Sequence, residues 1–202
     1  DQQYDEAITN YKQAIKIKYD YSKAYGNLGK LLYEEKQEFS EAEAVLKDVT
    51  QLDTAYANGF MHLGILYKIQ ALEIKKRLDE GTANENSNRS MKQNFLLAIE
   101  NLNKSIELDD TEYENFNHLA EAYIEIQKWK KAIEAAKISA DMKKSSKING
   151  TAYYYWALAE LKNSKGQKAG KTRALNLFEK AKLDKNWRKV AEQNIHEIKN
   201  PK

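Results

Sequence analysis

Apolar residues recur along this chain at helical spacing, in pairs of stripes broken by short polar turns. Between Thr111 and Ala140, Phe116, Leu119, Ala120 and Tyr123 form one stripe, Ala132, Ile133 and Ala136 form a second, and Gln127-Lys128 separates them. The spacing predicts a helix, a tight turn and a second helix, neither able to bury its stripe alone. Thr111-Glu112-Tyr113-Glu114 reads as a capping box, with the threonine oxygen accepting from a free amide and the glutamate reaching back. Trp129 opens the second helix, and its ring is expected to cover the end of the pair.

The same pattern divides the rest of the chain. Tyr4 to Lys18, with Ala7, Ile8, Tyr11, Ala14 and Ile15 apolar, predicts a second helix whose first helix is missing. Ser22 to about Gln37 follows as a first helix, and Ser40-Glu41-Ala42-Glu43 is expected to cap a partner running to about Asp53. From Ala57 the apolar residues continue through Ile69, Leu72, Ile74 and Leu78, which predicts a helix of roughly 24 residues, or about 36 Å. The polar tract Asp79 to Arg89 is a loop by composition, after which Ser90 is expected to cap a helix bearing Met91, Phe95, Leu96, Ile99, Leu102 and Ile106. Lys143-Lys144-Ser145-Ser146-Lys147 is a basic linker. Asn149 or Thr151 then caps a helix with Tyr153, Tyr154, Tyr155, Trp156, Leu158 and Leu161. A basic turn, Asn163 to Lys171, leads to a helix over Thr172 to Leu183, and a last helix from Asn186 to about Lys199 carries Trp187, Val190, Ala191, Ile195 and Ile198 on one face.

Aligned on the aromatic residue of each first helix, Tyr25, Phe60, Phe116 and Tyr155 correspond, followed by Leu28-Gly29, Leu63-Gly64, Leu119-Ala120 and Leu158-Ala159. The small residue of each second helix recurs as Ala7, Ala42, Ala98, Ala132 and Ala174, at spacings of 35, 56, 34 and 42 residues. This pattern, aromatic-x-x-Leu-Gly/Ala-x-x-Tyr and then Ala-x-x-x-large apolar, resembles the tetratricopeptide repeat, a helix hairpin of about 34 residues. The resemblance covers almost the whole chain and rests on packing positions. It implies an all-α fold, a right-handed superhelical solenoid of antiparallel helix hairpins, with about four repeats, an orphan first helix and a C-terminal capping helix. The expected organisation is a single solenoid domain over residues 1–202, cut from a longer chain, with a capping helix at 186–200. Gly64 and Ala98 are 34 residues apart, where 12 separate Ala120 from Ala132. An insertion at 70–97 is therefore expected to lengthen one hairpin into a projecting arm.

Composition narrows the chemistry. The chain has no cysteine, so it holds no disulfide framework, thiol nucleophile or cysteine-based metal site. No apolar run approaches the length of a membrane-spanning helix. The net charge of +3 hides an asymmetry: residues 1–127 carry 14 Lys/Arg against 23 Asp/Glu, and residues 128–202 carry 19 against 7. A basic rear of Lys143, Lys144, Lys147, Lys162, Lys165, Lys168 and Lys171 gives the alternative function, binding of nucleic acid or another acidic surface. Gly166-Gln167-Lys168-Ala169-Gly170-Lys171-Thr172 falls one residue short of a phosphate-binding loop and follows a helix instead of a strand, so a basic turn accounts for it. His62 and His118 occupy the same position in two repeats, where polar lining of the inner surface is the simpler reading than a metal pair. No metal, cofactor or catalytic constellation is expected.

Function follows from the resemblance, since such repeats serve as non-catalytic scaffolds that bind a partner on the concave face of their first helices. The resemblance implies that this face holds Asn27, Lys30 and Tyr33, then Asn58, Met61, His62, Ile65 and Lys68, then Asn117, His118 and Glu121, and finally Tyr153 and Trp156. Relatives that clamp the carboxylate terminus of heat-shock chaperones use lysine, asparagine and arginine on these faces. Here Gly26 and Asn117 stand at that lysine position and the histidines replace its asparagine or arginine, so that mode is not expected. The expected ligand is a peptide or helix of a protein partner, and the uncovered helix Tyr4 to Lys18 is expected to promote self-association.

Overall fold

A computed structural model describes residues 2–84, 86–142 and 148–201; Asp1 and the linker lysines Lys143, Lys144 and Lys147 lie outside the described residues. Among the described residues the chain is all-helical, with ten α-helices joined by short turns. It divides into two compact units, Asp1–Thr111 and Glu112–Lys202.

The first unit holds α1 (Gln2–Ile17), α2 (Ser22–Leu31), α3 (Phe39–Leu52), α4 (Ala57–Asp79) and α5 (Ser87–Leu108). Each helix packs on the next, and α2 also packs on α4, the arrangement of stacked hairpins. Its core is Leu28, Leu32, Tyr33, Ala42, Leu46, Leu63, Leu66, Tyr67 and Ala98, with Ile8, Tyr11 and Ile15 of α1 packed against it while only partly buried. Close approach fixes the small residues. A Cβ on Gly64 would stand 2.8 Å from Leu102 Cγ and 3.1 Å from the Ala98 carbonyl, so α4 and α5 meet where only a hydrogen fits.

The long pair α4 and α5 has 23 and 22 residues, against 13 and 14 for α6 and α7 in the second unit. Among the described residues no further helix lies between them, and Asn94 Nδ2 donates to Gln70 Oε1 across the pair at 3.4 Å. The connection closes on itself: the Ser87 hydroxyl donates to Asn84 Oδ1 at 3.0 Å, and the Asn86 amide donates to the same oxygen at 3.1 Å.

The end of α2 departs from the regular repeat. Gly29 and Ala42 are 13 residues apart, one more than Ala120 and Ala132, and a π-turn over Leu32–Lys36 lies in that interval. A π-turn takes up one extra residue without breaking the helix. Gln37 then adopts a left-handed conformation, φ 56°, and the Glu38 amide donates to the Leu32 carbonyl at 3.0 Å.

The second unit holds α6 (Tyr113–Glu125), α7 (Trp129–Met142), α8 (Gly150–Asn163), α9 (Lys168–Ala181) and α10 (Arg188–Lys199), again packed in sequence with α6 also on α8. Ala157, Ala174, Leu177, Phe178, Ala181, Ala191 and Ile195 form its core. Trp187, just before α10, stacks on Tyr154 at 4.4 Å between ring centroids, and its indole N–H donates to Thr151 Oγ1 at 2.8 Å.

Three expected caps are not used. The helix expected to be capped by Ser40 starts at Phe39, and the one expected at Ser90 starts a turn earlier, at Ser87; neither has a side-chain cap bond. Thr111 is diverted, because its hydroxyl donates to Asp109 Oδ1 at 2.6 Å and its amide to the same oxygen at 3.0 Å, a local turn that competes with the capping box. Asn149 does cap α8, accepting from the Ala152 amide at 3.2 Å. No described helix is long and apolar enough to cross a membrane.

Candidate functional site

In the first unit the expected face belongs to α2 and α4. Asn27, Lys30 and Asn58 are exposed, Met61 and Ile65 are half-buried, and Tyr33, His62 and Lys68 are buried. The buried group is organised around one pair: the Tyr33 hydroxyl and His62 Nδ1 lie 3.0 Å apart, joining the end of α2 to the middle of α4. Burial, reinforced by the positive charge of Lys30, pulls the imidazole pKa down to about 4. The ring is therefore neutral at physiological pH, with one of the two groups donating to the other, while burial drives the Tyr33 pKa upward. His62 and Tyr33 thus shape this surface from beneath it. The accessible residues of these two helices among those expected are Met61 and Ile65, one helical turn apart, and the exposed Asn27, Lys30 and Asn58.

In the second unit the expected residues lie on α6 and α8. Asn117 is buried and belongs to a polar relay. The Ser139 hydroxyl has two acceptors at 2.8 Å, Asn117 Oδ1 and the Tyr113 carbonyl, and it accepts from Asn149 Nδ2 at 3.0 Å. Those bonds tie α6, α7 and the start of α8 together. His118 and Glu121 are half-exposed. Glu121 accepts from the Tyr155 hydroxyl, and burial together with this carboxylate raises the Tyr155 pKa. Tyr153 and Trp156 are half-buried and stacked, with ring centroids 6.3 Å apart, and the Lys180 ammonium sits 5.0 Å from the Tyr153 centroid. The indole N–H of Trp156 is buried with no acceptor among the described residues.

The residues expected on this face are of two kinds. Tyr33, His62, Lys68 and Asn117 serve packing, whereas Asn27, Lys30, Asn58, Met61, Ile65, His118, Glu121, Tyr153 and Trp156 keep some accessible surface. The helical period sets the direction of a side chain; how far the neighbouring helix covers it depends on tertiary packing. Among the described residues no three His, Asp or Glu side chains cluster to hold a metal ion.

Two turns carry open cavities. One of about 240 Å³ is lined by Gln127, Lys128, Trp129, Lys130, Lys131 and Asn163 in the second unit. The other, about 400 Å³, is lined by Gln37, Glu38, Phe39, Ser40 and Glu41 in the first. Both follow a left-handed glutamine, Gln37 or Gln127, and both have an aromatic residue opening the second helix of a hairpin. The sequence signal for the basic one is a tryptophan flanked by lysines at a helix start.

Comparison with known proteins identifies the hairpins. A family model described as a TPR repeat matches residues 1–36. The crystal structure of MamA is 26% identical to the chain, covering 93% of it and 91% of MamA, with a TM-score of 0.64. Residues 1–36 match the tetratricopeptide repeat, and the chain has the fold of tetratricopeptide-repeat proteins. A thermophilic TPR protein of Thermus thermophilus matches 98% of this chain and 91% of its own at 15% identity and a TM-score of 0.66. Human IFIT1, solved as a dimer with m7Gppp-AAAA, matches 93% of this chain over 40% of its own length at 16% identity and a TM-score of 0.70. At such low identity these last two show the fold alone. A search of curated protein sequences finds no match. The repeat serves in general as a scaffold for protein interaction, and that coarse role extends to this chain.

Proposed function

We propose that this TPR scaffold binds a peptide or helix of a protein partner on the concave face of its first helices, anchored in the first unit at Met61 and Ile65. The observation that supports the reading is the half-exposed apolar pair on α4, next to exposed Asn27, Lys30 and Asn58, an apolar centre with a polar surround of the kind found at interfaces. The Tyr33–His62 bond beneath it is buried and rigidly placed, so the surface is preformed before a partner arrives. The second unit, taken by itself, carries a mix of aromatic and hydrogen-bonding groups at His118, Glu121, Tyr153 and Trp156.

The test is selection of peptides from a displayed random library on the intact chain, followed by affinity measurements on variants. Met61→Ala and Ile65→Ala should each cost about 1 to 4 kcal/mol of binding while the melting profile barely moves. Charge reversals at Lys165 and Lys168 should leave affinity unchanged. If only the reversals weaken binding, the alternative function holds: the basic surface of Lys162, Lys165, Lys168 and Lys171 takes an acidic or nucleic-acid ligand.

A further inference from the structure

The turn between α6 and α7 is built by backbone geometry. Gln127, φ 60°, closes α6 as its amide donates to the Ile124 carbonyl at 2.9 Å and that of Lys128 to the Tyr123 carbonyl at 2.8 Å. This leaves Trp129 half-buried at the head of α7, between Lys128 and Lys130, with the end of α8 supplying Asn163 to the same cavity. We propose that this cavity is a second docking site, independent of the groove, which takes one apolar side chain from an acidic segment of a partner protein.

Size disfavours a small-molecule cofactor. About 240 Å³ falls below the roughly 300 to 1,000 Å³ of ordinary ligand pockets and suits a single side chain. Charge selects what surrounds that side chain. Lys128, Lys130 and Lys131 are all exposed, none forms an ion pair among the described residues, and the Lys131 ammonium rests 5.5 Å from the Tyr123 ring centroid. Three uncompensated cations around one aromatic floor make a local positive field that favours carboxylates.

The fold does not require lysine here. At the corresponding turn in the first unit, after the left-handed Gln37, the aromatic position is Phe39, and Glu38, Ser40 and Glu41 stand where the second unit has Lys128, Lys130 and Lys131. Glu41 is already engaged with Lys12 at 2.7 Å. The repeat tolerates either sign at this site, so packing does not explain the lysines. That acidic turn is itself recessed, and two cavities cannot fill each other, which argues against a second copy as the occupant. No arginine, the residue whose planar fork matches phosphate, lines the basic cavity, which favours carboxylates over a nucleic acid.

The experiment uses the full chain and a fluorescein-labelled peptide with one Phe flanked on both sides by Asp, read by fluorescence anisotropy. Companion probes replace its Phe by Ser or its Asp by Lys, and a short oligothymidine tests nucleic acid. The Phe/Asp peptide should bind, and should lose about tenfold in affinity on Lys128→Glu with Lys130→Glu and again when its Phe becomes Ser. Trp129→Phe should retain most of the binding, which guards against loss through misfolding, and Met61→Ala should change nothing. Equal binding of the Phe and Ser peptides would overturn the proposal, as would tighter, lysine-dependent binding of oligothymidine. So would absence of peptide binding, including the case where sedimentation shows self-association that the Lys128→Glu, Lys130→Glu chain has lost.

Discussion

His62 should make the first unit acid-sensitive. In the folded chain its pKa is about 4, below the ordinary 6.5, so between those values the unfolded chain binds a proton that the folded chain refuses. Stability is therefore intact above the unfolded value and falls as pH drops from 6.5 toward 4. Linkage over that interval gives a loss of about 2 kcal/mol by pH 5 and about 3 kcal/mol once the pH is below both values. Exposed carboxylates titrate in the same range, so the wild type must be compared with His62→Gln, which keeps a hydrogen-bonding group for Tyr33 but carries no titrating ring. Hydrogen exchange of the α4 amides reads the first unit directly, without assuming that the repeats unfold together. The gap between the two proteins should shrink by about 2 kcal/mol between pH 7.5 and pH 5. An NMR titration of the His62 ring should report a midpoint near 4. Parallel stability profiles, or a ring titrating near 6.5, would refute the reasoning.

Gly64→Ala gains helix propensity but forces a methyl group against Leu102 and the Ala98 carbonyl, so a net loss of about 1 to 2 kcal/mol should appear on denaturant unfolding. Asn149→Ala removes the α8 cap and its bonds to Ser139 and should cost about 2 kcal/mol, lowering protection in the second unit. Trp187→Phe keeps the ring on Tyr154 but loses the bond to Thr151; a loss of about 1 kcal/mol is expected by thermal melting. Replacing residues 79–89 by a short turn should leave α2 and α3 protected and the melting temperature within about 5 °C, and collapse of the whole first unit would show that this tract is core.

How far the sequence revealed the molecule follows from the kind of physics at each position. Helix existence was legible from Phe116, Leu119 and Tyr123 or from Ile69, Leu72 and Leu78, because burial on one side imposes the period directly. The small residues at Gly29, Gly64, Ala120 and Ala159 were legible for the same reason. Caps were not: Thr111 satisfied the motif, yet the neighbouring Asp109 offered a closer acceptor for its hydroxyl and amide. In the candidate site, Met61 and Ile65 lie on α4 and keep accessible surface, but the burial of His62 and Asn117 depends on the reach of Tyr33 and Ser139 from other helices. Spacing along one helix carries no information about that reach. The charge difference between the Phe39 and Trp129 turns was present in the sequence and acquired meaning only once both turns showed a left-handed glutamine ahead of the aromatic residue.

The π-turn at the end of α2 bears on how a repeat protein changes length. Removing one residue there, Glu34 or Glu35, both exposed, would convert Leu32–Lys36 to ordinary helix and restore the 12-residue interval found between Ala120 and Ala132. The helices on either side would keep their phase, since the slack is local. Insertions and deletions in such an array then need not be confined to loops: a single codon can enter or leave the interior of a helix provided one wide turn absorbs it. The hairpin so altered carries its history as a bulge, legible in the backbone long after side chains have diverged.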